Sequence, residues 1–225
     1  LSDAARQKED FAANFAHELK TPLTSVIGYA DMLYQKELPR EQVKCAAEYI
    51  LNEGLRLEAL SLKLMDLFVL QKQDFLLEEL SASELLMNQK ERMESLCKKY
   101  VDAEDGIIQA EYDLFCTVMQ NLVDNACKAG SRDIWILGSN LENGYEIRVK
   151  DNGRGIPAKE LGRITEAFYM VDKSRARSQH GAGLGLALVA KIVELHHGRM
   201  KLSSDGVSGA TVEILFVRGR PSNGM

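Results

Sequence analysis

His17 and Glu18 stand side by side in the segment Phe15-Ala-His17-Glu18-Leu-Lys-Thr21-Pro22. A neutral imidazole is a nucleophile. A carboxylate that accepts a hydrogen bond from one ring nitrogen fixes the tautomer and leaves the other nitrogen able to attack. In helical spacing the neighbours of His17 are Ala13, Asn14, Lys20 and Thr21, and Thr24 and Asp31 continue that polar side. The ring therefore points away from the apolar stripe of its own helix. The bland alternative is a solvated surface histidine, the common fate of a polar residue in that setting. Pro22 removes a helix hydrogen bond and favours a bend beside the pair.

A second set is Asn121, Asn125 and Lys128. Asparagines four apart project from one helix face, and the lysine follows one turn on. Two amides and an ammonium suit phosphate oxygens and a hydrated Mg²⁺; two wet amides are the plain alternative. A third set, Asp151-Asn-Gly153-Arg-Gly155-Ile-Pro157, follows a β-rich run. Asn-Gly makes ordinary turns readily, yet Asp151 is also suited to accept a hydrogen bond from an exocyclic amine such as adenine N6. Glycines at 153 and 155 let the backbone approach a ring closely. A fourth set, Gly181-Ala-Gly183-Leu184-Gly185-Leu, opens a helix, where free backbone N–H groups attract phosphate. Its spacing is neither the dinucleotide fingerprint nor a P-loop. Between the third and fourth sets, Lys173, Arg175 and Arg177 form a basic run ending in glycine, read as a flap over an anion or as a solvated loop.

The elements that must carry these groups follow from periodicity. Residues 3–35 repeat apolar side chains at three and four (Phe11, Phe15, Leu19, Leu23, Val26, Ile27, Leu33), which predicts a helix. Pro39 breaks it, and a second stripe runs Val43, Ala46, Ala47, Ile50, Gly54, Leu57, Ser61, Leu64, Phe68. Two long helices on a short loop make an antiparallel hairpin, and a hairpin alone cannot close a core, so a dimeric four-helix bundle is expected. Beyond residue 73 the pattern changes to helices at 83–99 and 111–129, strands at 134–137 and 145–149 about Asn143-Gly144, a helix at 184–196, and strands at 200–203 and 211–217. The fold class expected is α+β: a helical hairpin, then an α/β sandwich. The stretch near Leu70–Leu80 is the expected hinge between them.

The chain has 225 residues, 45% of them hydrophobic, and a net charge of −5, so a general attraction to nucleic acid or anionic lipid is excluded. Cys45, Cys97, Cys116 and Cys127 form no Cys-x-x-Cys pair, and reduced thiols in a cytoplasmic setting are expected. No apolar run is long enough for a membrane span, so membrane attachment is expected only through segments outside this chain.

Taken in order, these sets resemble the sensor histidine kinases of two-component signalling. Phe-Ala-His17-Glu18-Leu-Lys-Thr21-Pro22 is similar to their phosphoacceptor motif, Asn121–Lys128 to the N box, Asp151–Gly155 to G1, Phe168-Tyr169 with Asp172–Arg175 to the F box, and Gly181–Leu186 to G2. The resemblance implies a dimerisation and histidine phosphotransfer domain over residues 1–72. It implies an ATP-binding domain of the Bergerat type over residues 73–220. Carried over by position, it makes His17 the phosphoacceptor, Glu18 its base, and Thr21 the group that orients water during partner dephosphorylation. Asn125 becomes the Mg²⁺ ligand, Asn121 and Lys128 phosphate contacts, and Asp151 the adenine reader. Gly153, Gly155, Gly181, Gly183, Leu184 and Gly185 frame ATP, and Arg175 is the lid cation. The implied partners are a second copy of the chain and a response-regulator receiver domain, with residues about Lys20–Asp31 and Cys45–Arg56 as its docking surface. Two departures stand out: Ala167 and Met170 replace the common Pro and Arg around the F-box phenylalanine, and Ala129-Gly130 stands where an aromatic is common. A gyrase-like ATPase would place a glutamate at Asn121, whose amide cannot accept a proton from water. A non-catalytic nucleotide-binding scaffold, and a protein working mainly as a phosphatase, are the other readings.

Overall fold

The computed structural model describes residues 3–70, 75–93, 97–171 and 183–218. Helices α1 (Asp3–Gln35) and α2 (Arg40–Leu70) form the expected hairpin. Helix α1 continues unbroken through Pro22. Around the proline, hydroxyls bond back to the preceding turn: Thr21 Oγ1 donates to His17 O at 3.4 Å, Thr24 Oγ1 to Lys20 O at 2.7 Å and Ser25 Oγ to Thr21 O at 3.3 Å. Such back-bonding gives the carbonyls near a proline extra donors.

The buried face of α2 differs from the expected stripe. Ala46, Arg56, Leu60, Leu67 and Leu70 are buried, whereas Val43, Ala47 and Phe68 are exposed. The reason is that α2 has more than one apolar stripe. One packs on the rest of the chain, and Leu51, Leu55, Leu62, Met65 and Val69 remain uncovered.

The second half is a two-layer α/β sandwich, as expected. Strand β1 (Glu78–Ser81) pairs antiparallel with β3 (Ile107–Ala110) in a small separate sheet. The main sheet holds β2 (Lys98–Ala103), β4 (Asp133–Leu141), β5 (Gly144–Asp151), β6 (Arg199–Ser204) and β7 (Ala210–Val217) in the order β2-β4-β5-β7-β6. Only β2–β4 is parallel among these pairs. Helices α3 (Ala82–Arg92), α4 (Tyr112–Lys128) and α5 (Gly185–Leu195) complete it. Ser81 caps α3, its hydroxyl accepting from Glu84 N. Phe115, Val118, Met119, Leu122 and Val123 of α4 join Leu188, Val189 and Ile192 of α5 over the inward residues Ile134, Ile136, Ile147 and Ile214 of the sheet.

Three strands were not foreseen. The helix expected over 83–99 stops at Arg92, and Lys98–Ala103 becomes the edge strand β2. Its exposed and half-buried residues alternate, a two-residue period that a helical reading of 83–99 overran. β1 and β3 are four residues each, too short for periodicity to register. The structure also brings two cysteines together. Cys97 and Cys127, thirty residues apart in sequence, face each other with Cα atoms 6.3 Å apart, whereas Cys45 is exposed. Spacing along the chain hid this pair because the end of α4 turns back onto the start of β2.

Candidate active site

Helix α4 supplies the first wall of a cleft. Its N-terminus is capped by Glu111, whose carboxylate accepts from Leu114 N at 2.6 Å. Its amphipathic pattern buries one side on the sheet and turns Asn125 and Lys128 toward the cleft. Asn121 is 7% exposed, with Nδ2 donating to Thr117 O at 2.8 Å and Oδ1 accepting from Lys63 Nζ at 3.2 Å. Among the described residues, the Nδ2 of Asn125 is buried with no hydrogen-bond partner. An orphaned amide of that kind is costly unless a ligand satisfies it.

The second wall is the end of β5. Asp151 is 9% exposed, and its carboxylate is held from three directions. Oδ1 accepts from Ser131 Oγ at 2.8 Å and Gly153 N at 2.7 Å, and Oδ2 accepts from Ala210 N at 3.3 Å. Next to it, Asn152 Oδ1 accepts from Arg132 N and Asp133 N, both at 3.0 Å, which ties the turn to the start of β4. A Cβ at Gly153 would lie 2.7 Å from Ser131 Oγ and 2.9 Å from Asp151 Oδ1, so this glycine is required by crowding around the carboxylate.

The third wall is the start of α5. Leu184 is its N-cap residue and is buried; Gly185 and Leu186 line the cleft in the first turn, where backbone N–H groups have no helical acceptor. Gly183 has φ +68°, and a Cβ there would meet Tyr169 O at 2.7 Å. Phe168 N donates to Gly183 O at 2.9 Å, which ties the Phe168–Tyr169 turn to the start of α5. Arg175 and Gly181 lie outside the described residues.

These walls enclose a cleft of about 220 Å³ lined by Asn125, Lys128, Asp151, Gly155, Gly183, Leu184 and Gly185 among the expected residues. Asn121 touches it through Gly185, and Gly153 sits behind Asp151. Val149, Ile156, Ile164, Leu202 and Val212 give it an apolar floor suited to a flat ring. His17, Glu18 and Thr21 do not line it. They sit on α1, where His17 is exposed.

Three features escaped the sequence reading. Phe168, at φ +66°, packs its ring at a tilt against Phe11 and Phe15 of α1 with centroids 5.1 and 6.0 Å away, which seats the hairpin on the edge of the cleft. Arg56, expected on the exposed docking surface, is 7% exposed and contacts Glu18 Oε2 at 3.4 Å and Glu53 at 3.7 Å. A buried arginine is held by such carboxylates because an uncompensated buried charge is very costly. Lys63 of α2 reaches into the cleft itself. Its ammonium pKa is lowered by burial first and by Lys128 second. Phe168 and Lys63 join the hairpin to the sandwich, and Arg56 joins one helix of the hairpin to the other; a single helix's periodicity carries no signal for such meetings.

Comparison with known proteins accords with this geometry. The His Kinase A (phospho-acceptor) domain family matches residues 7–72. The family described as histidine kinase-, DNA gyrase B-, and HSP90-like ATPase matches residues 110–220. The sensor histidine kinase YclK of Bacillus subtilis (strain 168) is 30% identical over 216 residues, 91% of this chain and 45% of that protein. The sensor protein kinase WalK of Staphylococcus aureus is 30% identical over 223 residues, 93% of this chain and 53% of that protein. The chain thus spans about half the length of these relatives. The histidine kinase ThkA, solved in complex with the response regulator protein TrrA, superposes with a TM-score of 0.73 over 93% of this chain and 61% of that one, at 21% identity, a likeness of fold. With a phosphoacceptor hairpin and a nucleotide-type cleft each matched by its own family in the same order, the chain belongs to the sensor histidine kinases of two-component signalling.

Proposed function

We propose that this chain is the catalytic part of an autokinase that moves the terminal phosphoryl group of ATP to His17 and then to an aspartate of a response-regulator receiver domain. In this reading residues 1–72 are the dimerisation and phosphotransfer domain and residues 73–220 the ATP-binding domain. The observation that carries it is the cleft itself. A carboxylate held by three donors stands at one end, a partnerless buried amide in the middle, and an uncapped helix N-terminus along one side.

Asp151 accepts from the adenine amino group, and the apolar floor takes the ring. The α5 N–H groups, Lys128 and Asn121 hold the phosphates. Asn125 fits a divalent metal. Its amide sits beside Gly185 at the phosphate end, and one amide oxygen completed by water and phosphate oxygens is an ordinary Mg²⁺ donor set. Mg²⁺, when bound, neutralises charge on the transferred group. The neutral His17 ring attacks with one nitrogen. The new N–P bond forms as the bond to the bridging oxygen breaks, ADP leaves, and Glu18 takes the proton from the other nitrogen. Arg56 engages only Oε2 of Glu18 and so leaves Oε1 for that proton. The N–P bond then passes its phosphoryl group to a carboxylate, and Thr21, one turn from His17, orients water in the reverse, dephosphorylating sense. ThkA's crystallisation with a response regulator supports this choice of acceptor.

Incubation of the dimer with Mg-ATP is expected to give acid-labile, base-stable phosphate on the protein, absent from His17→Gln. Label of unchanged amount in that variant would move the acceptor elsewhere.

A further inference from the structure

The helical hairpin sends a charge into the nucleotide cleft. Lys63 lies on the α2 face that packs on the sandwich, near Leu60 and Leu67 of the shared core and Leu64 packed against it. Its Nζ donates to Asn121 Oδ1 at 3.2 Å, and its side chain lines the cleft together with Lys128. Asp66 and Asp124 act on Lys63 through space, but no carboxylate comes within ion-pair distance of it or of Lys128 among the described residues. Two ammonium groups facing one cleft, the first of them partly buried, repel each other. A partly buried ammonium held beside a second one, with one amide oxygen as its hydrogen-bond acceptor, is satisfied by an anion bound between the two.

Position along α4 tells which part of a polyphosphate that is. Asp151 sits beyond the C-terminal end of α4, bonded to Ser131. Asn121 lies eight residues before Ala129, about 12 Å along the axis at the usual helical rise. Lys63, on Asn121, therefore marks the end of the cleft farthest from the adenine pocket. It also comes from the hairpin that bears His17.

We propose that Lys63 binds the terminal phosphate of ATP directly, so that the phosphoacceptor domain itself supplies a cation to the group it receives. This rests on the nucleotide reading above. Lys63 takes the role assigned from sequence to a lid cation. It makes docking of the hairpin and occupancy by ATP, as distinct from ADP, mutually reinforcing.

The test compares Mg-ATP and Mg-ADP affinity by calorimetry in the full chain, in the His17→Gln background so that ATP is not consumed. Lys63→Met is expected to weaken ATP between about tenfold and a hundredfold, the range of a lost charge-assisted contact, while ADP stays within about twofold. Lys63→Arg is expected to restore most of the difference. Equal weakening of both nucleotides, or no change in either, would overturn the assignment. Tighter ATP binding in Lys63→Met would also overturn it, showing a latch that blocks Asn121. Absence of any nucleotide binding in the His17→Gln parent would instead remove the underlying ATP reading, and this inference with it.

Discussion

At the scale of single residues, the cleft depends on a few polar atoms whose environments leave them little choice. Asp151 cannot rotate, because donors hold both of its oxygens. Asn125 is the converse case, an amide whose Nδ2 is buried and unpaired until a ligand arrives. Asn125→Ala removes that orphan and the proposed metal donor together. It is expected to leave melting temperature unchanged or slightly raised, and to cut Mg-ATP-dependent labelling on the order of 10³-fold, the scale of a lost charge-neutralising contact in phosphoryl transfer. Phosphate incorporation beside a thermal melt checks both halves. Labelling that survived would take the metal away from this residue. Asn121, Asn125, Lys128 and Asp151 were all legible in the sequence, since each lies within a short motif at fixed spacing. Arg56 and Lys63 were not. Their partners, Glu18 and Asn121, are 38 and 58 residues away.

At the scale of elements, the site is held by turns between strands and helices. Gly183 stands where the backbone of Phe168 and Tyr169 crosses the approach to α5. Gly183→Ala must place a Cβ against Tyr169 O at φ +68°, a strained conformation costing about 1–3 kcal/mol. The relief available is displacement of the Phe168–Tyr169 segment, which would also loosen the packing of Phe168 on Phe11 and Phe15. The variant is expected to lose that much stability in chemical denaturation and to bind Mg-ATP more weakly. Wild-type stability with wild-type affinity would show that the segment carries no strain. Tyr169 is braced from outside the cleft: Arg163 lies 4.3 Å over its ring, and its hydroxyl donates to Glu160, which raises the phenol pKa. Long helices and the Asn143-Gly144 hairpin were readable because their periods and turn residues are local. β1, β2 and β3 were not, because short strands are decided by the neighbours they pair with.

At the scale of the molecule, the hairpin has two apolar surfaces and the sandwich covers one. Leu60, Leu67 and Leu70 are taken into the common core, whereas Leu51, Leu55, Leu62 and Met65 remain 52–61% exposed, and Leu23 and Ile27 of α1 are exposed as well. Spacings of four, seven and three residues along α2 keep the uncovered group on one side, the pattern of a helix seam. A second copy of the hairpin is the proposed cover. Leu55→Glu with Leu62→Glu is expected to give a monomer by light scattering that keeps Mg-ATP affinity, since neither residue lines the cleft. A dimer unchanged by two buried charges would place the interface elsewhere. Among the described residues, no helix is long and apolar enough to cross a membrane.

The sequence by itself determined the two-part plan, the exposed phosphoacceptor helix and the motif residues of the cleft. All of these are written in local spacing: a 3.6-residue stripe, an Asn four residues from an Asn, glycines before a helix. Only the tertiary structure decided which stripe of α2 is buried, that Arg56 holds Glu18, that Cys97 meets Cys127, and that Lys63 enters the cleft. Each of these is a meeting of segments far apart in the chain. Such meetings are fixed by how the core packs as a whole, which no window of neighbouring residues contains.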